Sequence, residues 1–289
     1  MWQSITKQIS ECMNSPFTIG NRKLLLHTQD SNYYQITDLT QNVSFVVRVI
    51  PKSMVTKFEI VTRNLSLMAN WLVSPQVMLF GSTSDQCFSV FENFEVAESM
   101  PIPDEWNSLG KRIAKMHQQC QQGMYGWDED TYIFQQIQPN RWQKQWSTFF
   151  AEQRIGWFMQ LIREKQTLEF NIDDVVEVVR RRLVHHQPKP SPLHGNLQPS
   201  NLGFTPTGGV LFDLASFFGD RELDLARLEL SNTLPPAFFQ GYDAIWPRSE
   251  GYLDRQPLYQ LAYLLQQFAE QGEPCRQPAE TALRQLLAS

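Results

Sequence analysis

Three residues of this 289-residue chain have types and spacing that could do chemistry: Asn196, Asn201 and Asp213. The first two stand in the tight loop His194-Gly195-Asn196-Leu197-Gln198-Pro199-Ser200-Asn201. The third ends the run Val210-Leu211-Phe212-Asp213. Between them, Leu202-Gly203-Phe204 and Val210-Leu211-Phe212 flank Thr205-Pro206-Thr207-Gly208-Gly209, whose Thr-Pro and Gly-Gly pairs reverse a chain between short strands. Such a hairpin returns Asp213 to the neighbourhood of Asn201. An amide oxygen and a carboxylate placed together are hard ligands that suit magnesium, with waters and phosphate oxygens completing its shell. Phosphoryl-transfer sites built this way use an Asp early in the loop to accept the acceptor hydroxyl's proton. That position here is Asn196, and a carboxamide cannot take the proton.

The elements that must position these residues fall into two groups. Residues 1–16 predict a short amphipathic helix with Trp2, Ile5 and Ile9 on one side. Residues 23–27, 33–36 and 44–49 read as three antiparallel strands separated by polar turns. Phe58, Val61, Leu65, Met68 and Leu72 recur at helical steps, with Glu59 beside the stripe. Residues 77–80 and 88–91 add two strands, and Glu92-Asn93-Phe94 reads as a hinge. After Pro101-Ile102-Pro103 the chain turns helical, with Asp104 placed as a cap and Trp106, Leu109, Ile113 and Met116 facing inward. His117 follows that face and reads as a packed, hydrogen-bonded core histidine. A long aromatic helix is expected from Pro139 through Trp142, Trp146, Phe149, Phe150 and Trp157, by its spacing a core element. Residues 173–186 predict another helix. Leu258, Leu261, Leu265 and Phe268 mark a later one that stops at Gly272. The fold class is α+β, with a sheet-rich lobe over 1–95 and a mostly helical lobe over 96–289.

Composition narrows the class. With 42% hydrophobic and 12% aromatic residues the chain can pack large cores, and a net charge of -5 argues against nucleic acid or an anionic membrane as partner. No stretch approaches the roughly 18 apolar residues of a membrane span, and the first residues lack a secretory apolar core. Cys12, Cys87, Cys120 and Cys275 are scattered, without disulfide or zinc spacing. A cytoplasmic location is expected.

The motifs His194-Gly195-Asn196-x4-Asn201, Phe212-Asp213-Leu214-Ala215-Ser216-Phe217-Phe218-Gly219-Asp220-Arg221-Glu222-x-Asp224, Leu109-Gly110-x-x-Ile113-Ala114-x-Met116-His117, Gln138-Pro139-Asn140-Arg141-Trp142 and Gln256-Pro257-Leu258-Tyr259 resemble those of the fructosamine (ketosamine) kinases. These small-molecule kinases are related to aminoglycoside phosphotransferases and choline kinases. The resemblance is dense from about residue 100 to 272 and thin before it. It implies a two-lobed protein-kinase-like fold, with a small antiparallel-sheet lobe carrying one main helix and a larger helical lobe. It also implies ATP and Mg2+ as cofactors and a sugar-amine acceptor. Asn201 and Asp213 then match the metal ligands, and Asn196 stands where the family has its Asp base. Arg48 stands in place of a strand lysine, with Glu59 as its expected helix partner and Lys52 as the fallback cation. Glu92 and Phe94 fall at the nucleotide side. Asn140, Trp142 and Phe217 match the acceptor lobe, and Asp220 and Asp224 are expected to brace the loop. The one glycine in the first strand region, Gly20, makes no glycine-rich phosphate loop. Two functions follow: a weakened ATP-dependent ketosamine kinase, or a pseudokinase that binds a nucleotide, a small molecule or a partner without turnover.

Overall fold

Alternating apolar residues in the first hundred positions build one five-stranded antiparallel sheet in the computed structural model, which describes residues 1–27, 31–40, 43–68, 77–93, 100–206 and 208–288. The strands are β1 (Ile19–His27), β2 (Asn32–Asp38), β3 (Ser44–Pro51), β4 (Val77–Ser82) and β5 (Gln86–Glu92). Their order is β1-β2-β3-β5-β4. The central β3 buries every side chain from Phe45 to Ile50, as a strand covered on both faces must. Helix α1 (Trp2–Met13) packs Ile5 and Ile9 into a cluster with Phe17, Phe45, Val47 and Phe88. Helix α2 (Val55–Met68) follows β3 and buries Val61; Leu72 of the expected stripe lies outside the described residues.

Two compact units divide the chain. Met1–Met100 with Gly203–Phe212 form the first, and Pro101–Leu202 with Asp213–Ser289 form the second. The second opens with α3 (Pro103–His117). Asp104 lies inside its first turn rather than at the cap; Glu105 instead accepts the Ile102 amide, the reach-back half of a capping box. Two short strands, β6 (Thr131–Ile133) and β7 (Gln136–Gln138), come next.

The expected helix from Pro139 begins later, at Trp146. It runs as α4 (Trp146–Phe150), a π-helical turn (Ala151–Gly156) and α5 (Trp157–Lys165). Residues 139–145 stay out of it because their backbone is bound elsewhere, as described below. Helix α6 (Ile172–Leu183) is capped by Asn171, whose side chain accepts the amides of Asp173 and Asp174. The chain then enters β8 (Ser191–Leu193), the hairpin β9 (Leu202–Thr205) and β10 (Gly208–Leu211), and β11 (Phe217–Gly219). Helices α7 (Glu222–Leu230), α8 (Pro236–Ile245), α9 (Tyr252–Gln271) and α10 (Arg276–Ala288) complete it.

The core of this unit gathers Trp146, Phe149, Phe150, Phe158, Phe217, Leu258, Tyr259 and Phe268. Helices α3 and α8 touch backbone to backbone. A Cβ on Gly110 would meet the Phe238 carbonyl at 2.1 Å, and one on Gly241 would meet that of Asn107 at 2.0 Å. This crossing brings His117 against Tyr242.

Candidate active site

β8 and β11 pair through Leu193↔Phe217, Pro192↔Phe218 and Ser191↔Gly219. The loops on either side of this ladder interlock. The Ala215 amide donates to the His194 carbonyl at 2.9 Å. Gly195 adopts φ +76° with its Cα pressed on the Ala215 carbonyl, where a Cβ would sit 2.0 Å from oxygen, so only glycine fits. Asn196 Nδ2 donates to the Asp213 carbonyl at 3.3 Å, and Asn201 Nδ2 donates to the Asn196 carbonyl at 2.9 Å. Asp213 takes a left-handed φ of 56°, which a short polar side chain tolerates. The three residues singled out by spacing therefore stand in one hydrogen-bonded chain, Asn201 to Asn196 to Asp213.

One buried carboxylate holds this arrangement from behind. Asp224, on α7, accepts the His194 amide at 2.7 Å and the Gly195 amide at 3.0 Å. His117 Nε2 lies 3.2 Å from the same carboxylate, and its Nδ1 lies 2.7 Å from the Tyr242 hydroxyl. Burial pushes the Tyr242 phenol far up, so it stays protonated. With Arg221 donating to its oxygen, that hydroxyl donates its hydrogen bond to Nδ1, which leaves His117 Nε2–H to donate to Asp224.

Asp220 serves a different purpose from the expected one. It accepts His186 Nε2 at 2.7 Å, the Tyr259 hydroxyl at 2.5 Å and the Glu222 amide at 3.0 Å, and none of these is in the loop. Burial pushes its carboxyl up, but hydrogen bonds from His186, Tyr259 and Glu222 outweigh burial and hold it below the usual carboxylate range. His186, Asp220 and Glu222 cluster closely enough to suggest a metal site. Yet Arg255 already grips both Glu222 oxygens, at 2.8 and 3.0 Å, and protein donors occupy Asp220. The cluster is a brace.

The displayed face of the loop is less complete. Asn196 is 1% exposed, and its Oδ1 is buried without a hydrogen-bond partner. Asn201 gives its amide nitrogen to the loop, which turns Oδ1 away with no protein partner among the described residues.

In the first unit, Arg48 is buried in β3, donating from Nε to Ser31 Oγ at 3.0 Å with its guanidinium 5.6 Å from the Tyr33 ring centroid. Glu59 is exposed and makes no hydrogen bond or ion pair among the described residues, so the expected pair with Arg48 is not formed. Position 59 stands two residues before the buried Val61, a rotation of about 200° that carries it to the other side of the helix. Lys52 donates to the Thr83 carbonyl at 2.8 Å. Glu92 ends β5 exposed, and Phe94 lies outside the described residues. Gly20 sits in β1 against Leu39.

In the acceptor lobe, Asn140 spends its whole amide inside the protein. Nδ2 donates to the Glu129 carbonyl and to Thr131 Oγ1, both at 3.0 Å, while Oδ1 accepts Arg154 Nη2 at 2.6 Å. Phe217 is 1% exposed, stacked on Phe149 and covered by the Arg154 guanidinium at 4.1 Å. Both are framework. Trp142 is half-buried, with Nε1 donating to Asp128 at 3.0 Å. Arg154 is not among the residues singled out by spacing or charge. A buried guanidinium with no carboxylate beside it leaves no sequence signal.

Comparison with known proteins gives a consistent picture. The family model described as fructosamine kinase matches residues 1–289. A protein of Vibrio parahaemolyticus assigned as a ketoamine kinase is 36% identical over 92% of each chain. The crystal structure of a protein from Haemophilus somnus assigned as a fructosamine-3-kinase superposes with a TM-score of 0.89. It is 32% identical, and the match covers 99% of this chain and 98% of that one. Aminoglycoside phosphotransferase APH(4)-Ia, at 13% identity and a TM-score of 0.64 over 100% and 98% of the two chains, shares the fold, which is protein-kinase-like and α+β. No helix among the described residues is long and apolar enough to cross a membrane.

Proposed function

From the premise that this chain belongs to the fructosamine kinase family, we propose that it transfers a phosphoryl group from ATP to a hydroxyl of a ketosamine, slowly, because Asn196 replaces the base. The observation that carries the reading is the hydrogen-bonded chain Asn201–Asn196–Asp213 on a loop whose backbone is fixed by Asp224. The donor set suits magnesium: a carboxylate at Asp213 and an amide oxygen at Asn201 that the loop hydrogen bond leaves without a protein partner. Asn201 and Asp213 would hold the ion, which when bound neutralises charge on the phosphate oxygens. The nucleotide falls to the first unit, with Arg48 as the cation, Glu92 and Phe94 at the hinge, and no glycine-rich cradle. Arginine keeps the charge of the lysine it replaces but offers a planar fork instead of a point charge.

Loss of the base does not remove the rest of the catalysis. Positioning and electrostatics supply most of the acceleration in phosphoryl transfer, and general-base help adds about 10²–10⁴-fold. Asn196 cannot take the acceptor's proton, so on this reading the proton must leave to solvent or phosphate. This reading takes the reaction to be cytoplasmic and the acceptor to be a small sugar-amine. With ATP, magnesium and fructosyl-lysine, the purified protein is expected to release ADP above an Asp213→Ala control.

Asn196 also favours a second reading, a pseudokinase that binds nucleotide or sugar-amine without turnover. It predicts ligand-dependent increases in melting temperature, by the linkage of binding to stability, with ADP release equal to the control.

A further inference from the structure

The helix from Trp146 to Lys165 is interrupted by a π-helical turn at Ala151–Gly156. Such turns are rare and cluster at functional sites, because the extra residue re-aims the side chains around it. Here two neighbours, Gln153 and Arg154, both reach the same surface segment. Gln153 clamps the Arg141 backbone on both sides, accepting its amide at 2.7 Å and donating to its carbonyl at 2.8 Å. Arg154 holds the Pro139 carbonyl at 2.5 Å and Asn140 Oδ1 at 2.6 Å. The Asn140 amide is taken by Asp130, and its carbonyl by the Trp127 amide at 2.9 Å. Arg154 is wholly buried, and burial pushes its guanidinium down to about 9, the mark of a charge held at a cost. Every backbone group of residues 140 and 141 is thus fixed from below.

Residues 127–128 and 141–142 display a specific chemistry. Trp127 and Trp142 are half-buried, their rings inclined 32° and 27° to Phe218 at centroid distances of 5.6 and 6.3 Å. Asp128 is exposed and accepts the Trp142 indole through Oδ1. The Arg141 side chain is exposed, with no hydrogen bond or ion pair among the described residues. Backbone bonds tie this surface to the loop: Gly126 and Phe218 exchange two hydrogen bonds of 2.9 Å, and Phe218 lies on β11 opposite Pro192 of β8. That is two strand spacings, roughly 10 Å, from the strand that delivers His194.

We propose that Trp127, Asp128, Arg141 and Trp142 form the outer part of the acceptor site, and that Arg141 takes the α-carboxylate of a glycated amino acid. This rests on the ketosamine reading above and narrows it to acceptors whose amine half is a free amino acid or a chain end. The indole faces suit a sugar chain's C–H surface and a secondary ammonium. Asp128 keeps one oxygen for that ammonium. An arginine with its backbone fixed and its fork unpaired suits a carboxylate.

Calorimetric titration with fructosyl-lysine and with a fructosyl-propylamine, which lacks the carboxylate, separates the outcomes. Arg141→Ala is expected to weaken fructosyl-lysine about tenfold and leave fructosyl-propylamine unchanged. Trp142→Phe, which keeps the fold's aromatic packing, is expected to weaken both. Wild-type binding of fructosyl-lysine that is unaffected by either variant would overturn the platform and leave the ketosamine reading standing. Absence of binding to either ligand by the wild-type protein would overturn both.

Discussion

The back of the catalytic loop and the face it displays follow opposite rules. Behind it, Asp224 accepts two loop amides and a histidine, while Asp220, away from the loop, accepts a histidine, a tyrosine and an amide. On the displayed side, Asn196 leaves a buried oxygen without a partner, and Asn201 turns its oxygen away from the protein. Holding the loop is separable from doing chemistry with it. The braces fix backbone groups, so they work whichever side chain occupies position 196. Asn196 even contributes a bond that an aspartate could not, because its Nδ2 donates to the Asp213 carbonyl. On the proposed reading, a carboxamide at the base position removes chemistry and adds a hydrogen bond worth about 1 kcal/mol, a trade between activity and stability.

Breaking the brace should cost most. Asp224→Ala leaves two buried amides and His117 Nε2 without an acceptor, and at about 1–3 kcal/mol for each of the three groups the expected loss is at least about 3 kcal/mol in urea unfolding. Equal midpoints for the variant and the wild type would show that the loop is held by other means. His117→Ala should cost less, about 1–3 kcal/mol, since Asp224 keeps its two loop amides. A loss as large as that of Asp224→Ala would place the histidine, not the carboxylate, at the centre of the brace.

The second brace can be read by acid. Asp220 has its folded pKa held below the unfolded value of about 3.9, so its contribution is fully present above that pH and fades as pH falls through the folded value. Asp220→Asn should flatten the acid limb of the stability curve below about pH 4. An unchanged limb would contradict the part assigned to its hydrogen bonds.

How much of this was legible depends on whether the sequence carries the physical cause. The hairpin 202–211 was legible because Thr-Pro and Gly-Gly name the turn and short apolar runs name the strands. From it the approach of Asp213 to Asn201 was expected; the link between them through Asn196 was not. The start of the aromatic helix was not legible. Trp142 and Trp146 are four residues apart and continue the helical period, but Gln153, Arg154 and Asp130 bind the backbone of residues 139–141 and Tyr125 pairs with that of Gln143, and no local pattern announces that. The π-helical turn was hidden for the same reason. Glu59 shows a further limit. A glutamate on the right helix can be found by eye, but whether it faces Arg48 or solvent depends on the helix's rotation, which composition does not give. Asp224 could be read as a brace from its motif. Asp220, four residues earlier in the same motif, binds His186, beyond the end of α6, and Tyr259 of α9 instead.

The most direct test of the separation between brace and chemistry is Asn196→Asp, assayed for ADP release with ATP, magnesium and fructosyl-lysine alongside its unfolding midpoint. Turnover is expected to rise by about 10²–10⁴-fold while stability falls by about 1 kcal/mol. A folded Asn196→Asp protein whose turnover stays at the wild-type level would contradict the claim that the braced loop lacks only its base.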